Sequence, residues 1–285
     1  MDFRQIVWLA SYPKSGNTWV RLFLDAYFLQ ELDINEIVCS VGDDNIARYN
    51  LGDDSPIWRW PVDIQQLARG TAMLRLVTGY KGSDVGIPLF VKTHQANVVA
   101  NGVELLPQSL TKATIYLVRD PRDVFPSFCN HMGLDFDKGL AEMTNPYDVL
   151  ISSKIKAADF LSSWDKHVES YLAAKDHNVL LVHYEDLKED PQHWFTRILE
   201  HAGVTPDPLI VRRAIEMTKL SRLREAEQKD GFREGSAKAK EPFFNTGETG
   251  KNIPPSYRSM IDRAFRKTMT KLGYRGKANG AVKLH

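Results

Sequence analysis

The residues best suited to chemistry in this sequence form three short groups, each next to an apolar run. Lys14 lies in a turn, Lys92 and His94 follow a second run, and Arg119 and Ser127 flank the start of a helix. Lysine and arginine bind anionic groups, and histidine serves as a general base near neutral pH. These residue types indicate a site that binds a phosphate-like anion beside a group that accepts a proton.

Lys14 belongs to a predicted strand, turn and helix at the start of the chain. Ile6–Ala10 is a short apolar run typical of a buried parallel strand. Residues 11–16 are rich in turn formers, and Thr18–Leu29 has the apolar spacing of an amphipathic helix. Such an arrangement directs backbone N–H groups and a helix N-terminus at a phosphate. The plainer alternative is an ordinary turn that carries a surface lysine.

The turn departs from the Walker A pattern, GxxxxGK[ST], of nucleotide-hydrolysing proteins. Ser11 stands at the position of the first glycine, and Asn17 stands where the pattern has its lysine. The cation is instead Lys14, in the middle of the turn. This placement predicts a phosphate-binding loop whose chemistry differs from that of an ATPase.

Lys92 and His94 come at the carboxyl end of a predicted second strand, Pro88–Val91. Open α/β sheets bind their ligands at this end of the parallel strands. His94 is therefore a candidate general base, and Lys92 is a candidate to stabilise developing negative charge. A structural histidine is the alternative.

A third strand, predicted over Thr114–Val118, ends at Arg119. Asp120 then has the character of a helix N-cap, because proline occupies the first helical position after it. Arg119 at the strand end and Ser127 inside the helix are placed to face an anion. The alternative is helix capping combined with a surface ion pair.

Alternating apolar runs and amphipathic segments predict a single α/β domain over residues 1–285, in which helices flank a central parallel sheet. A fourth strand is predicted over Asn178–Val182. Residues 30–86 form an insertion on the substrate side, and residues 226–252 form a polar, glycine-containing loop that we expect to be mobile. The predicted helices after the first are Val62–Val77, Val124–Met132, Ile155–Leu172, Pro191–His201, Pro208–Leu223 and Tyr257–Leu272.

Composition argues against several classes of protein. The net charge of +1 gives no signal for binding nucleic acid or a membrane. The two cysteines, Cys39 and Cys129, indicate reduced thiols rather than a disulfide framework. We find no signal peptide, no apolar run of transmembrane length and no zinc-ligand spacing. We therefore expect a cytoplasmic protein with no metal site and no nucleic-acid or membrane partner.

Together the motifs resemble the sulfotransferases that use 3′-phosphoadenosine 5′-phosphosulfate (PAPS), the soluble cytosolic type and its bacterial relatives. The resemblance is carried by ASYPKSGNTW at 10–19, KTH at 92–94, YLVRDPRDVFPSF at 116–128 and LVHYEDLKEDP at 181–191. Their order and spacing run through most of the chain. The family fold is a central parallel sheet flanked by helices and is related to that of P-loop nucleotide kinases, in agreement with the predicted fold class.

The resemblance also implies roles for individual residues. His94 matches the catalytic base, Lys92 matches the lysine beside it, and Lys14 matches the lysine of the phosphosulfate loop. The cofactor-binding residues that the resemblance implies are Lys14, Ser15, Gly16, Asn17, Thr18 and Trp19 for the 5′-phosphosulfate, Arg119 and Ser127 for the 3′-phosphate, Tyr184 and Thr218 for the adenosine end, and Gly247.

The family's last cofactor-binding segment, FxRKGxxGxWK, is only partly matched. Asn245 and Thr246 stand in place of its arginine and lysine, whereas Gly247 keeps the glycine. Arg233 and Lys251 are the two candidates to supply the missing positive charge.

The resulting hypothesis is in-line transfer of a sulfuryl group from PAPS to a hydroxyl, or an amine, of a small-molecule acceptor, without a metal ion. Trp58, Trp60 and the pair Phe243–Phe244 are candidates for a partly apolar pocket that takes an aromatic or glycosylated acceptor. For the two tryptophans, packing in the core is the alternative. Two other classes stay open: a P-loop nucleotide kinase, and a non-catalytic nucleotide-binding module. A kinase should carry the full Walker A pattern, and a binding module has no need of Lys92 beside His94.

Overall fold

Strands and helices are interspersed up to His183, and the described residues after it form helices and loops. The computed structural model describes residues 3–43, 59–80, 86–150, 157–244 and 253–274. The strands are β1 (Ile6–Ser11), β2 (Ser40–Gly42), β3 (Leu89–Thr93), β4 (Val99–Ala100), β5 (Val103–Glu104), β6 (Thr111–Val118), β7 (Val149–Leu150), β8 (Asp159–Phe160) and β9 (Val179–His183). The helices are α1 (Asn17–Leu29), α2 (Val62–Gly79), α3 (Pro121–Met132), α4 (Phe136–Thr144), α5 (Trp164–Leu172), α6 (Tyr184–Glu189), α7 (Pro191–His201), α8 (Pro208–Met217), α9 (Leu220–Asp230), α10 (Pro255–Ala264) and α11 (Arg266–Lys271).

Five strands form one sheet in the order β2, β3, β1, β6, β9, and every neighbouring pair in it is parallel. The remaining described strands form two small antiparallel ribbons, β4 with β5 and β7 with β8. The structure therefore confirms the predicted α/β class with a central parallel sheet. β1 lies in the middle of the sheet, between β3 and β6.

Side chains of β1 alternate between two hydrophobic cores, one on each face of the sheet. Trp8 packs on one face with Tyr116, and Val7 and Leu9 pack on the other with Ile115; all five are fully buried. Because helices cover both faces of a parallel sheet, its central strands need no polar alternation. This explains the uninterrupted apolar run at the start of the sequence.

The register of the sheet brings the ends of four strands to one edge. Ala10 of β1 lies opposite Thr93 of β3, and Val118 of β6 lies opposite His183 of β9. The loop after β1 and the residues that follow β3, β6 and β9 therefore emerge side by side. The predicted chemical groups sit at these positions.

A buried ion pair holds the end of β3 in place. Asp43, directly after β2, accepts hydrogen bonds from Arg69 of α2 and from the hydroxyl of Thr93, both at 2.5 Å. Arg69 also donates to the carbonyl of Leu105 at 2.6 Å. Arg69 is 1% exposed and Asp43 is fully buried, so the pair joins β2, α2 and β3 away from solvent.

The predicted cap at Asp120 is confirmed, and Asp190 caps the start of α7 in the same way. The Asp120 side chain accepts from the N–H of Arg122 at 2.9 Å at the start of α3. Asp190 accepts from the N–H of His193 at 3.0 Å at the start of α7. Each helix has proline at its first position, as the sequence pattern requires.

The predicted helix Ile155–Leu172 is wrong in its first part. The helix begins at Trp164, and Asp159–Phe160 is a strand instead. Ser162 has a φ of 61°, in the left-handed region, and its N–H donates to the carbonyl of Asp148. The left-handed φ turns the chain before the helix begins, and the bond to Asp148, just before β7, holds the turn in place, although the apolar residues on either side continue a helical spacing.

The predicted helix Pro208–Leu223 is two helices, α8 and α9. They are separated at Lys219, whose ψ of 139° is extended rather than helical. Helix α9 continues to Asp230, so the predicted loop 226–252 begins too early in the sequence. The last predicted helix, Tyr257–Leu272, is likewise divided at Phe265 into α10 and α11.

The predicted insertion 30–86 contributes to the central sheet, because its strand β2 pairs with β3. Trp58 lies outside the described residues. The carbonyl of Trp60 accepts a hydrogen bond from Gln65 at 2.8 Å, next to the start of α2. None of the described helices is long and apolar enough to cross a membrane.

Candidate functional site

A cavity of about 1190 Å³ opens at the edge where β1, β3, β6 and β9 end. Ser15 is buried without lining this cavity, and Gly247 lies outside the described residues. Sites for one drug-sized ligand have volumes of about 300–1,000 Å³, so this cavity has room for a donor and an acceptor together. The predicted site residues that line it are Lys14, Gly16, Asn17, Thr18, Trp19, Lys92, His94, Arg119, Ser127, Tyr184 and Thr218.

Positive charge predominates in the described part of the cavity wall. Nine lysines and arginines line it, against five aspartates and glutamates. Because a concave, partly buried site concentrates the field of its charges, this wall attracts anions. A ligand that carries several negative charges would be stabilised there.

The loop after β1 closes tightly enough to line the cavity. Lys14 has a φ of 67° and Gly16 has a φ of 99°, both in the left-handed region. The amide of Asn17 donates to the carbonyl of Leu9 at 2.9 Å and to the hydroxyl of Ser11 at 3.3 Å. The residue in the place of the Walker lysine therefore ties the start of α1 to the end of β1, which leaves Lys14 as the cation of the loop.

Gly16 is required because the ring of Tyr184 lies directly against it. A Cβ atom at this position would come within 2.7 Å of Tyr184 Cδ2. The positive φ of Gly16 also disfavours any residue that has a Cβ atom. The glycine thus lets the loop after β1 pack on the residue that follows β9.

Arg119 and Trp19 surround Tyr184 on the cavity side. The guanidinium carbon of Arg119 lies 4.6 Å from the Tyr184 ring centroid, and its Nη1 donates to the carbonyl of Lys14 at 3.2 Å. Trp19 contacts Tyr184 edge to face, with ring centroids 6.1 Å apart. Trp19 Nε1 and Arg119 Nε are buried donors with no acceptor among the described residues. Such donors fit a ligand that is rich in acceptor oxygens or ring nitrogens.

Lys14 is buried against an aromatic face. Its Nζ lies 3.6 Å from the ring centroid of Phe243. Burial, reinforced by the nearby Arg119, lowers the pKa of Lys14 to about 8. The amine is therefore mostly protonated at neutral pH and loses its charge a little above it. An anion beside Lys14 would restore the charged form.

The backbone fixes which nitrogen of His94 carries the proton. His94 Nδ1 lies 2.7 Å from the carbonyl oxygen of Ser11, which can only accept. Nδ1 must therefore donate, and in the neutral ring the lone pair belongs to Nε2. This is the tautomer that a general base requires, and it depends on the residue that ends β1.

A buried hydrogen-bond chain supports His94 from behind. His167 Nε2 donates to the carbonyl of His94 at 3.2 Å, and His167 Nδ1 lies 2.8 Å from the hydroxyl of Tyr116. Burial lowers the pKa of His167 to about 3, so the ring is neutral and carries one proton. No signal in the sequence marks His167 as functional, because its position in an amphipathic stripe is that of a core residue.

The other predicted residues differ in how they present their polar atoms. Thr218 donates its hydroxyl proton to the carbonyl of Ala214 at 2.8 Å, so it can offer a ligand only a hydrogen-bond acceptor. Lys92 and Ser127 line the cavity from β3 and α3. Arg233 also lines it, although its N–H is bonded to the side chain of Asn35 at 2.7 Å.

Sequence reasoning missed a carboxylate that contacts the loop helix. Glu234 accepts from the Thr18 hydroxyl at 3.0 Å and from Arg21 Nη1 at 2.6 Å. Arg21 and Glu234 are separated by more than 200 residues, so no local pattern marks the pair. Glu234 lies in the part of the sequence that its composition predicts to be a mobile loop.

Comparison with known proteins places the chain in a family. A family model described as the sulfotransferase domain matches residues 4–273. The chain belongs to the sulfotransferase family. It is similar to Sulfotransferase 1C2 of Homo sapiens, with 22% identity over 227 residues that cover 76% of this chain and 65% of the relative. It is also similar to Luciferin sulfotransferase of Photinus pyralis, with 30% identity over 199 residues that cover 64% of this chain and 46% of the relative.

The matches span less than two thirds of the length of either relative. Solved structures show the sulfotransferase fold over more of the chain. Retinol dehydratase in complex with androsterone and the inactive cofactor PAP has a TM-score of 0.62 at 16% identity and covers 97% of this chain and 82% of the other. Mouse sulfotransferase SULT7A1 complexed with PAP has a TM-score of 0.58 at 18% identity, with 98% and 87% covered. The family and the fold expected from the sequence are confirmed.

The contact between Gly16 and Tyr184 in this sulfotransferase domain leads to a direct test. We expect Gly16→Ala to unfold at a lower temperature than Gly102→Ala, because only the first adds a steric overlap of about 1–3 kcal/mol to the cost of positive φ. Gly102 is a matched control, since its φ is 79° and a Cβ atom added to it would meet nothing within 4 Å. Equal melting temperatures for the two variants would show that Tyr184 does not press on the loop.

Proposed function

We propose that this protein transfers the sulfuryl group of PAPS to a hydroxyl, or an amine, of a small-molecule acceptor. The observation that carries the proposal is the shared cavity of the Lys14 loop, Lys92 and His94, with His94 held in the tautomer of a general base. The PAP in the solved structures of related fold supports the choice of donor. Bound PAPS supplies the sulfuryl group and leaves as adenosine 3′,5′-bisphosphate (PAP).

The loop after β1 would hold the 5′ end of the donor. The N–H groups of residues 15–19 lie at the start of α1, where the helix dipole favours negative charge. The Lys14 ammonium would offset charge on the transferring oxygens and on the leaving 5′-phosphate. Because Lys14 lies in the middle of the loop, its ammonium stays close to the loop backbone, where it contacts the ring of Phe243.

The ends of β6 and β9 would hold the rest of the donor. Arg119 has a buried Nε without an acceptor among the described residues, and Ser127 lines the same wall, so the pair suits the 3′-phosphate. Tyr184, which Trp19 of the loop contacts edge to face, presents a ring surface for the adenine. Thr218 can accept from the exocyclic amine of adenine, because its own proton is bonded to Ala214.

His94 would remove the proton from the acceptor as its oxygen or nitrogen attacks the sulfur. Its Nδ1–H bond to Ser11 leaves Nε2 as the basic atom. Lys92 would stabilise the charge that develops during transfer. These roles need no metal ion, because Lys14 and Lys92 take the part that magnesium has in phosphoryl transfer.

The acceptor pocket would be partly apolar. Met132, Leu150, Phe243 and Phe244 line the cavity, whereas Trp60 is not among the lining residues. The prediction of an apolar wall therefore depends on the aromatic pair rather than on the tryptophan. We infer a small acceptor with a hydroxyl or amine on an apolar, aromatic or glycosylated body.

We place the enzyme in the cytoplasm. Cys39 and Cys129 are both buried and free, in keeping with a reducing compartment.

The activity is tested with ³⁵S-labelled PAPS and a panel of phenols, alcohols, amines and glycosides. We expect label transfer that persists in EDTA and falls by about 10²–10⁴-fold in His94→Ala, the usual contribution of a general base. The exposed His193→Ala on α7 is the matched control and should retain full rate. PAP binding by His94→Ala should be unchanged, since the ring acts on the acceptor.

Two results would contradict the proposal. Magnesium-dependent ATP turnover without sulfate transfer would indicate a kinase, and PAP binding without transfer to any acceptor would indicate a binding module. Normal turnover by His94→Ala would leave the reaction in place and remove the histidine from it.

The pKa of Lys14 predicts how donor binding depends on pH. Below pH 8 the amine is charged and attracts the 5′ end, and above pH 8 it is neutral. PAP should therefore bind about tenfold more weakly at pH 9 than at pH 7, because only about a tenth of the lysine remains protonated there. Calorimetry at both pH values measures the ratio. Lys14→Arg, which does not titrate, should lose this pH dependence, and equal wild-type affinities would contradict the role of Lys14.

A further inference from the structure

Residues 231–244, which we call the strap, cross the cavity beside the loop after β1. Side chains elsewhere in the fold hold its backbone at both ends. Asn35 accepts from the N–H of Arg233 at 2.7 Å, and Glu227 accepts from the N–H groups of Phe243 and Phe244 at 2.7 and 2.9 Å. Between these ends, Asn130 accepts from Lys240 and Glu241. The strap therefore has a defined position over the loop.

The strap engages two groups of the loop region that are suited to anions. Glu234 accepts from the hydroxyl of Thr18 at 3.0 Å and from Nη1 of Arg21 at 2.6 Å. The ring face of Phe243 contacts the ammonium of Lys14 at 3.6 Å. The strap thus occupies donors that an anion would use.

The Glu234 carboxylate is charged in this position. Burial acts to raise its pKa, but Arg21, Lys92 and Thr18 together hold the pKa below its ordinary value. Arg21 is enclosed, with 8% of its side chain exposed, and its Nε donates to the hydroxyl of Ser40 at 3.0 Å. Glu234 is more accessible, with 37% of its side chain exposed. The carboxylate can therefore leave more readily than the guanidinium.

The hydroxyl of Thr18 has a single proton. It can donate to Glu234 or to a phosphate oxygen, but not to both. A phosphate at the loop would also lie close to the charged carboxylate, and two anions in one partly buried site repel each other strongly. Binding of the 5′ end of the donor at Thr18 is therefore incompatible with Glu234 in its present place.

We propose that Thr18 and Arg21 form an anion subsite that Glu234 occupies in the free protein and that the 5′-phosphate of the donor takes over. The proposal rests on the function proposed above and adds Arg21 to the donor-binding residues. Glu234 is then a tethered competitor. Arg21 is paired with Glu234 in the free protein and with the 5′-phosphate in the donor complex, so its charge is neutralised in both. After transfer, Glu234 returns to Arg21 and displaces PAP.

A tethered competitor leaves the site open for only a fraction of the time. The apparent affinity for the ligand is the intrinsic affinity multiplied by that fraction. We expect Glu234→Ala to bind adenosine 5′-monophosphate about tenfold more tightly than wild type. Adenosine 3′-monophosphate has no 5′-phosphate to compete with Glu234, so its affinity should change by less than about twofold. In turnover with PAPS, the same variant should show a lower KM without a higher kcat, because product release loses its competitor.

Calorimetry with the two monophosphates is run on the full chain. Glu234→Gln, which keeps the shape of the side chain and removes its charge, should give a change of the same sign as Glu234→Ala and serves if the alanine variant is unstable. Glu225→Gln is the control, since it removes an exposed acid of α9 that does not line the cavity. It should leave both affinities within about twofold of wild type. Adding Arg21→Met to Glu234→Ala should abolish the tighter binding.

Three results would overturn the proposal. Equal tightening for both monophosphates would indicate a general change of field, unchanged binding would show that Glu234 does not compete, and weaker 5′ binding would show that Glu234 assists the phosphate. Each of these leaves the proposed sulfuryl transfer intact. Failure of PAP to bind either wild type or variant would remove the proposed function and this inference together.

Discussion

Parallel pairing of β3, β1, β6 and β9 is the constraint on which the site depends. Parallel strands end at the same edge, so residues distant in the sequence meet there without any contact being specified between them. The register that sets Ala10 beside Thr93 brings the loop after β1 next to His94. The bond from His94 to Ser11 is then a consequence of the sheet, and it selects the tautomer of the ring.

Burial strengthens the interactions between the charged groups at this edge of the sheet. It lowers the pKa of Lys14, and the nearby guanidinium of Arg119 lowers that pKa further. Two cations held close together in a partly buried site are stabilised by an anion between them. Glu234 is the internal anion that partly satisfies this demand, at the Thr18 and Arg21 end of the site. In the exchange proposed above, a strongly anionic ligand replaces the contacts that Glu234 makes with Thr18 and Arg21.

Local features of the site could be predicted from the sequence. A β-rich apolar run, a turn and an amphipathic helix specify the loop around Lys14, and Asp120 before Pro121 specifies the start of α3. These elements are determined by neighbouring residues, which a sequence pattern contains. The order of the motifs is sufficient to predict both the fold class and the family.

Features set by distant contacts could not be predicted in the same way. Glu234 meets Arg21 only after the chain has folded, and nothing in its neighbourhood distinguishes it from other acids of a polar segment. At Ser162 and Lys219 the apolar spacing continues where the helical structure does not, because the backbone is left-handed at the first residue and extended at the second. Strand β2 is too short for its pairing with β3 to be recognised from sequence.

We propose that Lys14, the mid-loop lysine, holds the 5′ end of an activated sulfate donor beside the imidazole of His94. A crystal structure of the protein with PAP tests this most directly. We expect the 5′-phosphate within hydrogen-bond distance of Lys14 Nζ and of the N–H groups at the start of α1, with His94 Nε2 facing the position of the missing sulfuryl group. A 5′-phosphate bound elsewhere, or an imidazole turned away from it, would contradict this claim.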